Sequence, residues 1–217
     1  MGTNDSREAV QPPRNVAIAP ADAERLFELT GPEGDALVQL ARSSLHAELA
    51  DKRPLPGGEE ISSQWPRLLL PRSAFVTLRK KGALRGCIGT IEPRRPLWEE
   101  VVHNAVAAAT CDFRFEPVSP DELCELDLSV TVLALPQPLE PLAPDALREH
   151  LGKTKPGVVL EFRGRRSTFL PQVWDSLPDP GDFLCQLCRK QGWPGDTWKD
   201  PSVRVQTYGA QHFGAPD

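Results

Sequence analysis

Residues 73–91 read SAFVTLRKKGALRGCIGTI, and this stretch decides the fold class. SAFVTLR is rich in β-formers, Lys80-Lys81-Gly82 signals a turn, and ALRGCIGTI returns as a second strand. The expected unit is an antiparallel hairpin, and its flanks are helical. Upstream, Thr30-Gly31-Pro32-Glu33 has the spacing of a capping box. Leu37, Leu40, Ala41, Ser44, Leu45 and Leu49 then recur at helical intervals to about Ala50. Residues 55–71, LPGGEEISSQWPRLLLP, are broken by Gly and Pro and are expected to form a loop. After Pro93 the pattern becomes helical again, with Leu97, Val101, Ala105 and Ala109 on one face. The Ala-rich half of that helix can approach another backbone closely.

Further along, Ser119-Pro120-Asp121-Glu122 is a second capping box, opening a short turn or helix. In DLSVTVLA, Leu126, Leu128, Val130 and Val132 oppose Asp127, Ser129 and Thr131, which predicts a half-buried strand. A Pro-rich connection, PQPLEPLAPDALREHL, ends in a short helix. GVVLEF and RSTFLP around Arg163-Gly164-Arg165 predict a second hairpin. PDPGDFLCQLCRKQG is expected to be helical from about Pro180, and residues 201–208 alternate as a closing strand. Hairpins interspersed with separate helices mean α+β, a mainly antiparallel sheet flanked by helices.

Composition narrows the function. Lys plus Arg is 25 and Asp plus Glu is 30, a formal net charge of −5, which argues against a nucleic-acid backbone binder. Charged residues make up 25%, ordinary for a globular chain. The 23 prolines predict many short elements and long connections. No apolar run approaches the ~18–20 residues that cross a bilayer, so no membrane role is expected. The start lacks a basic segment followed by an apolar core, so it does not read as a secretory signal. Five cysteines, an odd number, then suggest reduced thiols in a cytoplasmic protein. Residues 1–20 are polar and read as a flexible tail, with residues 21–217 as one domain.

The chemistry centres on Leu84-Arg85-Gly86-Cys87-Ile88-Gly89-Thr90. A thiol between two glycines is uncrowded, and glycine in a strand marks close backbone approach or a bulge. Arg85, two residues away, would share its face in an ideal strand and would favour the thiolate. The alternative is a small core cysteine with glycines that only shape the hairpin. Cys185-Gln186-Leu187-Cys188 is a C-x-x-C inside a helix with no second ligand pair, so it reads as structural, and no metal is expected. His46, His103, His150 and His212 show no local metal spacing. His103 reads as an exposed helix residue, and a Cys87–His pair assembled in space stays open. Asp112 and Arg114 flank an aromatic residue, an arrangement that either fixes the helix exit as an internal ion pair or clamps a loop or holds an anion. The chain carries no P-loop, no dinucleotide fingerprint and no G-x-S-x-G, so no cofactor is expected.

LRGCIGTIEP resembles the signature of the AMMECR domain family. NAVAAATCDFRFEPV, DELCELDLSVTVLALPQPL, STFLPQVWDSLPDPGDFLCQLCRKQGWPGDTWKD and RVQTYGAQHF continue the resemblance over roughly residues 32–213. The C-terminal style is closest to the family's bacterial branch. The resemblance implies a two-lobed α+β fold with a cleft between the lobes near the RGCIG strand. It also implies work alongside a Memo-type protein and a radical SAM protein, and it leaves a homodimer open. Carried over by position, it marks Arg85, Gly86, Cys87 and Gly89, then Asn104, Asp112 and Arg114, then Gln172. Phe113 stands where the family usually has Pro. Two readings follow. One is a binding or adaptor module in which Cys87 lines the cleft. The other is an enzyme with Cys87 as nucleophile or covalent carrier, Arg85 or Arg114 holding a small anionic substrate, and the backbone around Gly86 and Gly89 holding an oxyanion.

Overall fold

The computed structural model describes residues 28–51, 58–91 and 93–216, so the tail expected at residues 1–20 lies outside the described residues. Helix α1, Gly31–His46, starts at the expected box: the Thr30 side chain accepts from the Glu33 N–H, and the Thr30 N–H donates to the Glu33 carboxylate at 2.8 Å. Its α geometry stops at His46, and Ala47–Asp51 follows as a π turn. The loop expected at residues 55–71 is instead largely helical: α2, Gly58–Gln64, leads into a 3-10 turn, Pro66–Leu69. Ile61, Trp65, Leu68 and Leu69 explain the correction. They recur at helical intervals, and all four join the first core, whose burial outweighs the Gly and Pro punctuation.

Strands β1, Ala74–Lys80, and β2, Ala83–Gly89, pair across a two-residue turn in which Lys81 (φ 52) and Gly82 (φ 81) are both left-handed. That geometry matches the twist of the strands it joins. The same device, Arg163 (φ 50) and Gly164 (φ 73), joins β5, Gly157–Phe162, to β6, Arg165–Phe169. Between these hairpins lie α3, Leu97–Thr110, a 3-10 turn, Pro120–Glu125, β3, Leu126–Leu133, β4, Gln137–Pro138, and α4, Pro144–Thr154. The chain ends with α5, Val173–Ser176, α6, Pro180–Lys190, β7, Arg204–Tyr208, and β8, Ala210–Gly214.

These elements form two lobes. One sheet runs β2-β1-β3-β8 and the other β4-β7-β5-β6, with every pairing antiparallel. Helices α1 and α3 bury Leu37, Leu45, Leu97, Val101 and Ala105 against one face of the first sheet. In the second lobe α4 and α6 cover the other sheet, and Trp174 stacks on Phe183 at 3.8 Å between ring centres. β3 corrects the half-buried expectation. Only Asp127 is exposed, while Ser129 and Thr131 are buried on its polar face. Near the β3 end that face meets the second lobe, where Leu133, Val159 and Tyr208 pack with Phe75 and Leu170. The alternation at residues 201–208 forms β7 as expected, and a further strand, β8, follows it beyond that stretch. β7 ends in the second sheet at Tyr208, and β8 begins in the first at Ala210. The Ala134 N–H donates to the Gly209 carbonyl at 2.9 Å, tying the two crossings between lobes together. Among the described residues no helix is long and apolar enough to cross a membrane.

Candidate functional site

The site is built on β2, an edge strand. Gly86 is buried against α3, and a Cβ there would overlap the Ala108 carbonyl oxygen. This is the close approach that the Ala-rich helix allows. Alternation turns Cys87 to the opposite face, where it is half-buried across from Thr77. The Thr77 hydroxyl donates to Cys87 Sγ at 3.4 Å. Two residues on, a Cβ at Gly89 would overlap the Phe75 ring, so both signature glycines make room for neighbours.

Side chains cover the outer edge of β2 at Cys87. The Cys87 N–H donates to Asp112 Oδ2 at 2.8 Å, and Arg114 Nη2 donates to the Cys87 carbonyl at 3.4 Å. Together they occupy the ladder positions a further strand would use. Asp112 also accepts from Arg114 Nε at 2.9 Å, Nη2 at 2.6 Å and the Arg114 N–H at 3.2 Å. These bonds, with Arg114's side chain foremost, hold the Asp112 carboxyl well below the usual carboxylate range, and the Arg114 guanidinium is raised in return. The Phe115 N–H closes a turn onto the Asp112 carbonyl at 3.0 Å. Phe113 is the residue after Asp112 in that turn, a position that accepts Pro or almost any residue, and its ring is 96% exposed.

Arg85 has a different setting. The β1–β2 register passes from Leu78↔Gly86 to Arg79↔Leu84, so Arg85 is the extra residue of a bulge. That bulge breaks the alternation by which Arg85 would share the face of Cys87. Its guanidinium makes a bidentate pair with Glu122 at 2.9 and 3.1 Å and bonds the Glu116 carbonyl at 2.7 Å. The Arg85 donors are thus engaged within the protein and do not meet a ligand anion. Arg85, with the Ser119 N–H and Lys80, lowers the Glu122 carboxyl from 4.5 to about 2. A carboxyl depressed by folding stabilises the fold above its unfolded pKa and loses that contribution as the pH falls through the folded one. We therefore expect wild type and Glu122→Gln to converge in stability as the pH drops from 4.5 toward 2. Denaturant midpoints across that range check this, and a constant gap would discount the Arg85–Glu122 pair.

The remaining candidates fall elsewhere. Asn104 is buried on the helix side of the sheet, where Nδ2 donates to the Ala74 carbonyl at 3.0 Å and to Glu100 Oε1 at 3.3 Å. Glu100, itself buried, also accepts from the Thr90 hydroxyl, so this pair fastens α3 to the ends of β1 and β2. Gln172 is exposed at the start of α5 in the second lobe. Cys188 lies inside the second core, where burial pushes its thiol up, and Cys185 is half-buried beside it. Among the described residues no group of three or more His, Cys, Asp or Glu is placed to hold a metal ion. His103 is exposed on α3. His212 shares the sheet with Cys87 but stands three strands away, roughly 14 Å, which rules out a direct pair. Thr77 and Glu122 escaped the sequence reading as partners of the signature. Residue spacing gives no sign of either contact, since cross-strand register supplies one and the bulge the other.

The comparisons agree with this architecture. The AMMECR1 family model matches residues 38–213. A protein of Methanothermobacter thermautotrophicus is 38% identical over 190 residues, covering 85% of this chain and 95% of its own. One from Methanopyrus kandleri is 37% identical over 196 residues, covering 86% and 90%. The crystal structure of the uncharacterised protein PH0010 from Pyrococcus horikoshii superposes with a TM-score of 0.68 at 30% identity, over 85% of this chain and 92% of that one. With the LRGCIG strand, the Asp112 turn and the two antiparallel sheets in place, the chain belongs to the AMMECR1 family.

Proposed function

We propose that this AMMECR1-family chain is a ligand-presenting adaptor, a non-autonomous subunit working in the cytoplasm with a Memo-type protein and a radical SAM protein. The partners rest on its resemblance to AmmeMemoRadiSam system protein A. The adaptor character rests on one observation: the polar groups that thiol chemistry would draw on serve the fold instead. Asp112 is held as an anion by Arg114 and the Cys87 N–H, so it neither takes up the thiol proton near neutral pH nor leaves that N–H for an oxyanion. The half-buried Cys87 thiol and the 44% exposed Arg114 side chain, whose guanidinium also lies 5.4 Å over the Phe115 ring, are the groups suited to recognising a small anionic ligand. The second reading, Cys87 as nucleophile or covalent carrier, is favoured by the Thr77 hydroxyl bonded to Sγ.

Cys87→Ala separates the two from a purely structural role. Losing one small group should cost about 1–2 kcal/mol in transfer and cavity terms, so the variant should fold. Tagged full-length chain, wild type and Cys87→Ala, should both co-purify with the two partners. Only wild type should carry a small molecule identified by mass spectrometry. Wild type that retains neither partner would remove the adaptor reading. A Cys87 thiol titrating well below the ~8.5 of a free cysteine, on a protein that turns over the recovered molecule, would replace it with the enzyme.

A further inference from the structure

In the second lobe, away from Cys87, α6 carries two thiols with no role so far. Cys185 and Cys188 stand one turn apart, and both are free. Their surroundings differ. Cys188 is 0% exposed in the second core, where its sulfur accepts the Trp198 N–H. Cys185 is half-buried and lines a surface cavity of about 640 Å³ between α4, α6 and the 3-10 turn Thr197–Lys199. Within that cavity the approach to its sulfur is kept clear by a glycine. A Cβ at Gly195 would lie 2.5 Å from Cys185 Sγ and 3.3 Å from Arg189 Nε, so thiol and guanidinium front the same point. Helix α6 ends at Lys190, two residues past Cys188. The Cys188 carbonyl accepts from both the Gln191 and the Trp193 N–H at 3.1 Å, around a left-handed Gly192. The second thiol therefore sits where the helix is already leaving α geometry.

We infer that Cys185 and Cys188 are a reversible dithiol that reacts with small hydroperoxides, Cys185 meeting the oxidant and Cys188 closing the disulfide. The inference is independent of the adaptor reading of Cys87. Burial sets the order, because the cavity opens onto Cys185 and Cys188 lies beneath it. In the first step Cys185 Sγ attacks the hydroperoxide: an S–O bond forms, the O–O bond breaks, and the thiol proton leaves with the departing oxygen. Cys185 becomes a sulfenic acid. Arg189 stands where that departing oxygen gathers negative charge. In the second step Cys188 Sγ attacks Cys185 Sγ: the S–S bond forms, the S–O bond breaks, and the Cys188 proton leaves in water. Two electrons pass from the thiols to the O–O bond. Side chains three apart on a helix hold their Cβ atoms about 5–6 Å apart, while a disulfide needs about 3.5–4.5 Å. The last turn of α6, ending at Gly192, is the part that yields to close this gap. A disulfide closed against helix geometry is readily reduced, which makes the step reversible.

The test treats the reduced full-length chain with hydrogen peroxide, blocks the remaining thiols with iodoacetamide and digests with trypsin. The tryptic peptide 167–189 holds both cysteines and no other. It should lose its two alkylation sites together, weigh two hydrogens less, and regain both sites after dithiothreitol. This should precede any loss at Cys111 and Cys124, which are the more exposed thiols. Cys188→Ser should stop at a Cys185 sulfenic acid that dimedone traps, and Cys185→Ser should leave Cys188 reduced. Arg189→Gln should slow the oxidation severalfold with the same product, its peptide then ending at Lys190. Cys111 or Cys124 reacting first, or a link between chains in place of the internal one, overturns the pair. An unchanged rate in Arg189→Gln overturns the role of Arg189 and leaves the dithiol standing. The wild-type mass decides the matter even where Cys188→Ser fails to fold.

Discussion

Gly86→Ala should be among the most damaging single substitutions in this chain, costing about 3 kcal/mol or more. Gly86 has no positive φ, so the backbone itself tolerates alanine, and a shorter list of unfolded conformations would even favour it slightly. The harm comes from packing. The new methyl overlaps the Ala108 carbonyl oxygen, which is helix backbone and cannot rotate away. Either α3 lifts from β2 or the edge strand shifts, and both disturb the contacts of Val101, Ala105 and Ala108 in the first core. Urea unfolding of Gly86→Ala beside Gly31→Ala checks this, because the Cβ added at Gly31 meets nothing within 4 Å. Gly31→Ala should stay close to wild type. A Gly86→Ala protein within about 1 kcal/mol of wild type would show that α3 yields without loss.

Asp112→Ala should cost about 3 kcal/mol for another reason. The carboxylate is 3% exposed and holds the Cys87 N–H, the Arg114 N–H and the Arg114 guanidinium together. Removing it strands a backbone donor at the sheet edge and a cation without its counter-charge. Arg114→Ala should cost less, about 1 kcal/mol, because that side chain is 44% exposed and the two backbone N–H groups still hold the carboxylate. Asp112→Asn should fall between, since its amide oxygen can accept the Cys87 N–H but cannot balance the charge. Unfolding free energies for the three variants test the order. Arg114→Ala proving worse than Asp112→Ala would move the weight of the pair from the buried anion to the exposed cation.

Much of the site was legible as local pattern. The two hairpins follow from Lys81-Gly82 and Arg163-Gly164 between β-forming runs, because a two-residue turn with left-handed backbone favours glycine. The capping boxes at Thr30 and Ser119 follow from spacing alone, since the contacts lie three residues apart. The signature glycines were legible as places of close approach, and Asp112 and Arg114 as a pair beside an aromatic. Each of these features is decided by neighbours within a few residues.

Tertiary structure decided what spacing cannot express. Residues 58–69 became helical because Ile61, Trp65, Leu68 and Leu69 found a core to bury in, which Gly and Pro content does not reveal. Asn104 went to the helix side of the sheet and Arg85 to Glu122, because a sheet has two faces and a bulge breaks the alternation between them. Cys87 met Thr77 through register, and the chain crossed between sheets at Gly209. The sequence by itself determined the α+β class, the hairpins, the caps and the family. Which side of a sheet each polar group faces, and which groups remain free for a ligand, depended on contacts between residues tens of positions apart, which no local pattern encodes.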